Sequence, residues 1–382
     1  MTAALPYLDA DTVTRLVPVS HAIQVLENAL RAGLDPETTP PRSHVDLAGG
    51  QLLMMPAGGP AYAGVKIVSV APDNPRRGLP RIQGTYLLFD RDTLAPLAVL
   101  DGVALTSLRT PAVSAVAVRH LASPDARRLT VFGTGPQAWA HITAIRAVRP
   151  IEHVTLIGRD VARAEALAHH CRALGLTVEA GYGGAVSSNL TTWPTEPLLP
   201  APSPEGPAAG PVDGPPGDRE RPKVGSPGNR VWPLDEPRPT TPIRRPTRPT
   251  GREVTPARAV AEADIVACCT TSRNPLFPGK LARDGVTVVA VGSHEPDARE
   301  VDDDLVARST VVVEALVAAL AEAGDVIVPV RNGTITTGHL AGNLADLVAG
   351  RVVAGPGPRL FKSVGMAWED LVVAAAAYEA WR

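Results

Sequence analysis

The pattern of apolar and polar positions changes period along this 382-residue chain, and the changes mark two kinds of fold. Residues 127–133 ("RRLTVFG") make a short apolar run bounded by charge and glycine, which predicts a strand. "PQAWAHITAIRAV" then turns to helical spacing. The alternation continues with a strand at "HVTLIG" (153–158), a helix at "DVARAEALAHHCRAL" and a third strand at "TVEAG" (177–181). It resumes with a helix at "TPARAVAEA" and strands at "DIVACCTT", "VTVVAV" and "STVVVEA" (309–315). Strands alternating with helices at this spacing predict an α/β fold with a parallel, doubly wound sheet.

The two ends read differently. "VSHAIQVLENALRAGL" predicts a helix, "GQLLMMPA", "AGVKIVSV" and "QGTYLLFD" predict short strands, and the tail "GMAWEDLVVAAAAYEAW" reads as an amphipathic helix. Because the doubly wound block (121–324) is central, residues 1–120 and 325–382 are expected to fold together as a discontinuous α+β domain. One stretch, from about 183 to 253, breaks every period. It holds close to half of the chain's 39 prolines, so it is expected to be a disordered or polyproline-like insert. Its "RPTTPIRRPTRPT" is the one candidate docking segment.

Composition narrows the function classes. Hydrophobic residues at 45%, charged residues at 20% and a net charge of −2 describe a globular protein with no call for nucleic acid or an anionic membrane. Asp9 and Asp11 interrupt the apolar core a signal peptide would need, and no apolar run is long enough to span a bilayer. Cys171, Cys268 and Cys269 have no metal-ligand spacing and read as reduced thiols of a cytoplasmic protein; no metal site is expected.

Candidate chemistry begins at Gly133-Thr134-Gly135-Pro136-Gln137-Ala138, a G-x-G-x-x-A directly after a strand and opening a helix. In that context Gly133 allows the tight turn, Gly135 lets backbone approach a pyrophosphate, and Ala138 packs helix on strand. A Rossmann-type dinucleotide site follows, favoured over a turn without a ligand. The next strand ends at Gly158-Arg159-Asp160. No acid stands at the strand end and Arg159 is beside it, which favours NADP(H); Asp160, equally suited to capping a helix, leaves NAD(H) possible. Thr270, Val291, Gly292 and Ser293 end later strands of the sheet and are the remaining cofactor-facing candidates.

The chain resembles the ornithine cyclodeaminase/mu-crystallin family of NAD(P)-dependent proteins. The resemblance rests on "PPRSHVDL", "MMPA", "GVKIV", "GLPRIQGTYLLFD", "LTSLRTPAVSAVA", "VFGTGPQA", "EADIVACCTT", "VAVGSHEPDAREVD", "ALAEAGDV" and "FKSVGMAWEDL", in matching order along the whole chain except the insert. It implies a Rossmann domain, a second domain that binds substrate and forms a homodimer through its sheet, and chemistry at the α-carbon of a small amino or imino acid. By motif it implies that Arg42, Lys66 and Arg109 bind the substrate carboxylate. Elementary chemistry agrees, since Arg presents a planar fork to two carboxylate oxygens and a Lys inside an apolar strand has a depressed pKa suited to proton transfer. Without the resemblance, ion pairs at helix ends and a Lys snorkelling from an edge strand would be the simpler readings.

His294 follows a strand at the edge where ligands of open α/β sheets bind. The cyclodeaminase branch carries a catalytic aspartate at the matching position, so this chain departs from it. A neutral His accepts a proton or, near neutral pH, donates one to an imine nitrogen; lining the nicotinamide pocket is the equal alternative. The resulting expectation is an NAD(P)H-dependent imine reductase or amino-acid dehydrogenase with Lys66 and His294 as catalytic residues. The alternatives are an ornithine cyclodeaminase that recycles bound NAD, and a non-catalytic NADP-dependent binding protein for a small ligand.

Overall fold

The computed structural model describes residues 4–182 and 254–382. The expected insert and its docking segment lie outside the described residues. Among the described residues the strands form two sheets, and no helix is long and apolar enough to cross a membrane.

The first sheet has six strands, β1 (Tyr7–Leu8), β2 (Ser43–Leu47), β3 (Gly50–Gly58), β4 (Tyr62–Val70), β5 (Ile82–Asp90) and β6 (Pro96–Asp101). Their order is β1-β6-β5-β4-β3-β2, antiparallel from β2 to β6, with β1 parallel to β6. The register sets Met55, Lys66 and Tyr86 side by side on one face, and all three are buried. A charged residue in this row must find its partner inside the protein.

The second sheet has eight strands, all parallel: β7 (Arg128–Phe132), β8 (His153–Gly158), β9 (Thr177–Tyr182), β10 (Ile265–Cys268), β11 (Thr287–Ala290), β12 (Thr310–Val313), β13 (Leu340–Asn343) and β14 (Arg359–Lys362). The order β9-β8-β7-β10-β11-β14-β12-β13 is Rossmann-type, with β14 inserted between β11 and β12. Strands such as β10 and β11 are buried at every position, as parallel strands covered on both faces must be.

The helices are α1 (Ala10–Leu16), α2 (Val19–Arg31), α3 (Gly102–Leu121), α4 (Pro136–Arg146), α5 (Val161–Ala173) and α6 (Pro256–Ala261). They continue as α7 (Asp303–Arg308), α8 (Leu316–Glu322), α9 (Gly324–Arg331), α10 (Leu344–Val348) and α11 (Ala367–Trp381). The longest, α3, starts where Asp101 Oδ1 accepts the N–H groups of Val103 and Ala104. It packs against α2, α4, α11 and β5, so it is buried on most sides and carries no amphipathic period.

Two expectations need correction. The tail helix α11 is not amphipathic over most of its length, because Glu369 and Asp370, which look like a polar face, are completely buried. Residues 325–382 do not stay with the N-terminal segment as a block: β13 and β14 join the parallel sheet, and α11 is the part that packs against β3, β4 and β5. The sheet order, which sequence order does not determine, is the reason.

Candidate active site

The strand order reverses between β7 and β10, so the loops after them part and open a crevice at the carboxyl edge of the parallel sheet. Gly133 sits there at φ +117°, donating its N–H to Ile157 O at 2.9 Å. A Cβ on it would lie 2.6 Å from Cys269 O, so no other residue fits without displacing backbone. Gly135 caps α4, and the space where its Cβ would point is open. Beside it Thr134 packs its methyl on Gly158, Pro136 fills the first turn, and the buried Gln137 Oε1 has no partner among the described residues. An open glycine at the N-terminus of α4, with an unengaged amide oxygen next to it, fits a dinucleotide pyrophosphate and its neighbouring hydroxyls.

Arg159 is exposed directly after β8, while Asp160 Oδ1 accepts the Arg163 N–H at 3.1 Å and caps α5. Across β10 and β11, Thr270 and Gly292 touch so closely that a Cβ at 292 would lie 1.8 Å from Thr270 O. Val291 N–H donates to Cys268 O at 3.1 Å and holds the two strand ends together. The Ser293 hydroxyl donates to Ala298 O at 2.6 Å, so it shapes its own loop.

Behind this strip lies a charge network absent from the sequence reading. Buried Glu300 accepts Thr270 N–H at 2.7 Å and its hydroxyl at 2.8 Å through Oε1, and Gly292 N–H at 2.8 Å through Oε2. Asp325 Oδ1 accepts the N–H groups of Glu300 and Val301, and its Oδ2 lies 2.8 Å from Lys362 Nζ. Lys362 in turn donates to Ser293 O at 2.6 Å. Three buried ionisable groups thus fix the loops that carry Thr270, Gly292 and Ser293.

Arg42 and Arg109 meet around residues 364–365, and Lys66 joins Arg109 through Asp370. Arg42 Nη2 donates to Val364 O and Gly365 O, both at 2.9 Å, and lies 2.8 Å from Glu322 Oε2. Gly365, at φ +80°, leaves room for Arg109, whose Nη1 would be 2.6 Å from a Cβ there. Arg109 Nη1 donates to Glu369 Oε2 at 2.7 Å. Lys66 is on a central strand, where it cannot snorkel; its Nζ donates to Asp370 Oδ2 at 2.7 Å and Thr106 Oγ1 at 3.2 Å. A cavity of about 370 Å³ opens beside Arg42, lined by Met55, Glu322, Gly365, Met366 and Ala367 among others.

Electrostatics separates these groups. Burial lowers the Lys66 pKa to about 8, with Asp370 opposing and Arg109 adding to the fall. Burial alone would lower Arg109, but Asp370, Glu369 and Glu314 outweigh it and hold it above its ordinary value. Glu369 is pushed well above the usual carboxyl range by burial and then by Glu314. His294 is exposed in the loop after β11; lost hydration from the surrounding loops, and then Arg42, lower its pKa.

The structure therefore groups Arg42, Lys66 and Arg109, with His294 near Arg42, and sets the glycine loop, Thr270 and Gly292 along the adjoining strip. Residues the sequence reading missed are Glu300, Glu314, Glu322, Asp325, Lys362, Glu369 and Asp370. The available signal was a charge inside an apolar run, as in "RLFKS" and "AWEDL".

Comparisons with known proteins agree on one family. The model of the ornithine cyclodeaminase/mu-crystallin family matches residues 7–185 and 248–382, leaving out most of the proline-rich stretch. The Δ1-pyrroline-2-carboxylate reductase of Bacillus cereus is 30% identical, over 97% of this chain and 95% of its own. The Δ1-pyrroline-2-carboxylate/Δ1-piperideine-2-carboxylate reductase of Azospirillum brasilense is 30% identical, over 98% and 96%. Among solved structures, the Δ1-pyrroline-2-carboxylate reductase of Thermococcus litoralis in complex with NADH and L-proline superposes with a TM-score of 0.74. That match is 27% identical and covers 98% of this chain and 97% of the other.

Proposed function

The chain belongs to the ornithine cyclodeaminase/mu-crystallin family, and from that premise we propose that it reduces a cyclic α-imino acid, of the Δ1-pyrroline- or Δ1-piperideine-2-carboxylate class, to the cyclic amino acid. It is a nicotinamide-dependent oxidoreductase acting on carbon–nitrogen bonds. The observation that carries the reading is Lys66, a buried ammonium held by Asp370 and Thr106 with its pKa lowered to about 8, beside the guanidinium of Arg109.

Arg42, which lines the cavity, and Arg109, packed against Gly365 of its wall, hold the substrate carboxylate. Lys66 donates its proton to the imine nitrogen, which receives the C=N π pair, and Asp370 keeps the ammonium oriented during the transfer. A reduced nicotinamide, when held by the glycine loop, would supply the hydride for the α-carbon. Met55, Met366 and Ala367 give the ring an apolar wall. His294 stands in the loop after β11 near Arg42 and orients the substrate nitrogen or assists the proton transfer. Gly133, Thr134, Gly135, Pro136 and Gln137 receive the pyrophosphate; Thr270 and Gly292 face the nicotinamide end, with Val291 and Ser293 shaping that wall.

NADPH is the favoured cofactor. Gly158 presents no carboxylate at the strand end, Asp160 is committed to capping α5, and Arg159 follows β8 directly. The segment 1–120 acts with α11 as the substrate and dimerisation part. Exposed Val45 and Leu47, on one face of edge strand β2, support a homodimer through that sheet. Three free cysteines fit a cytoplasmic location.

The test is NADPH and NADH oxidation, read by absorbance, with Δ1-pyrroline-2-carboxylate, Δ1-piperideine-2-carboxylate and linear 2-oxo acids plus ammonia. Turnover with the cyclic imines is expected. Ammonia release from ornithine without net cofactor oxidation would replace the reading with cyclodeaminase.

A further inference from the structure

Arg109 meets more carboxyl groups than one charge balances. Its Nη1 is 2.7 Å from Glu369 Oε2 and its Nε is 3.4 Å from Asp370 Oδ1, while Glu314 acts on it from the end of β12. Asp370 already serves Lys66. Glu314 Oε2 accepts the N–H groups of Val364 at 2.8 Å and Gly365 at 2.7 Å, but its buried Oε1 has no partner. Glu369 Oε1 is buried and unpartnered too, and the two carboxyls are in hydrogen-bonding reach of each other. As two anions they would repel and leave both oxygens unsatisfied. One proton between them removes both defects, because it turns an acceptor into a donor.

We propose that Glu369 is held as the neutral acid, donating its proton to Glu314, and that this positioning pair keeps the Arg109 charge available to the substrate carboxylate. The second half rests on the role of Arg109 proposed above. With Glu369 neutral, Lys66 and Arg109 face Asp370 and Glu314, two charges against two, and Arg42 faces Glu322. The site is then neutral. It takes a substrate whose single charge is its carboxylate, the imine nitrogen still awaiting the Lys66 proton, and disfavours one with an added negative group. An ionised Glu369 would put a surplus negative charge against the guanidinium that must bind the carboxylate. Desolvation pushes Glu369 towards the protonated form, and the groups facing it are Arg109 of α3, Glu314 after β12 and Asp370 of α11, with Lys66, Arg42 and Glu322 beyond.

The experiment is difference infrared spectroscopy of the full chain, parent against Glu369→Gln, without substrate. The parent is expected to show the carbonyl stretch of a protonated carboxylic acid at neutral pH, absent from Glu369→Gln and lost on alkaline titration. If Glu369→Gln does not fold, Glu314→Gln is read instead: the band must shift, since its acceptor has changed. In steady state, KM for the cyclic imine is expected to rise about tenfold per pH unit once Glu369 ionises, and to become flat in Glu369→Gln. The fall of kcat that Lys66 produces at alkaline pH must persist in that variant. No acid band removed or shifted by either substitution overturns the proposal, whether or not the protein reduces imines. A band that is present while both enzymes keep the same KM profile overturns the link to Arg109. Failure to turn over any cyclic imine would refute the proposed function and leave the infrared result standing.

Discussion

The two sides of the crevice are built by different means. Along the cofactor strip, backbone shapes the surface: Gly133, Gly158 and Gly292 sit where a Cβ would strike a neighbour within 2.6 Å, and Gly135 where a side chain would fill open space. Around the cations, side chains do it, with Arg42, Lys66, Arg109, Glu314, Glu369 and Asp370 arriving from segments far apart in sequence. A backbone-built surface is local and fails at Gly133 or Gly292 with any added Cβ. A charge-built site is cooperative, because removing one member of a buried ion pair strands its partner at about 3–5 kcal/mol. Substitutions on the two sides should therefore separate cleanly, cofactor affinity failing on one and turnover on the other.

The largest effect is expected at Lys66. Lys66→Met should lower kcat for imine reduction on the order of 1000-fold while cofactor affinity, read by nicotinamide fluorescence, stays within about twofold. The pH profile carries the sign. Burial brings the Lys66 pKa from the usual 10.5 to about 8, so the protonated donor is lost as pH rises through about 8. Reductive kcat should fall above that pH, and oxidation of the cyclic amino acid, which needs the neutral amine as base, should rise over the same interval. A reductive profile that stays flat well above pH 8 would remove Lys66 as the donor.

His294 tests where the two sides meet. Its exposed ring lies near Arg42, in the loop after β11 that also carries Gly292. His294→Ala should lower kcat on the order of 100-fold with cofactor binding almost unchanged, and His294→Asp should weaken reduction too. A loss within about threefold, well under 1 kcal/mol, would make the residue a wall of the pocket.

How much of this was readable from the sequence follows the same division. The glycine loop, the strands around it and Arg159 sit in contiguous runs whose period and turn residues announce them. Lys66 was visible as a charge in an apolar strand. The helix α3 was not, because Pro111 interrupts its spacing and burial on most sides erases any polar face. Glu369 and Asp370 carry no local mark of burial, since one sequence does not distinguish a solvated carboxylate from one buried against Arg109 and Lys66. The insertion of β14 between β11 and β12 is likewise a matter of pairing that no local pattern encodes.

The smallest effect is expected on the adenosine side. Arg159→Ala should weaken NADPH by about tenfold and leave NADH within about twofold, as a single exposed charge on a phosphate would. Equal affinity of the parent for both cofactors would remove this part of the comparison.

The central claim is net reduction at the α-carbon, and isotope transfer tests it most directly. With Δ1-pyrroline-2-carboxylate and nicotinamide deuterated at the transferring position, the released proline should carry one deuterium at the α-carbon for each cofactor oxidised. Proline formed from ornithine with ammonia release and no net cofactor oxidation would contradict it.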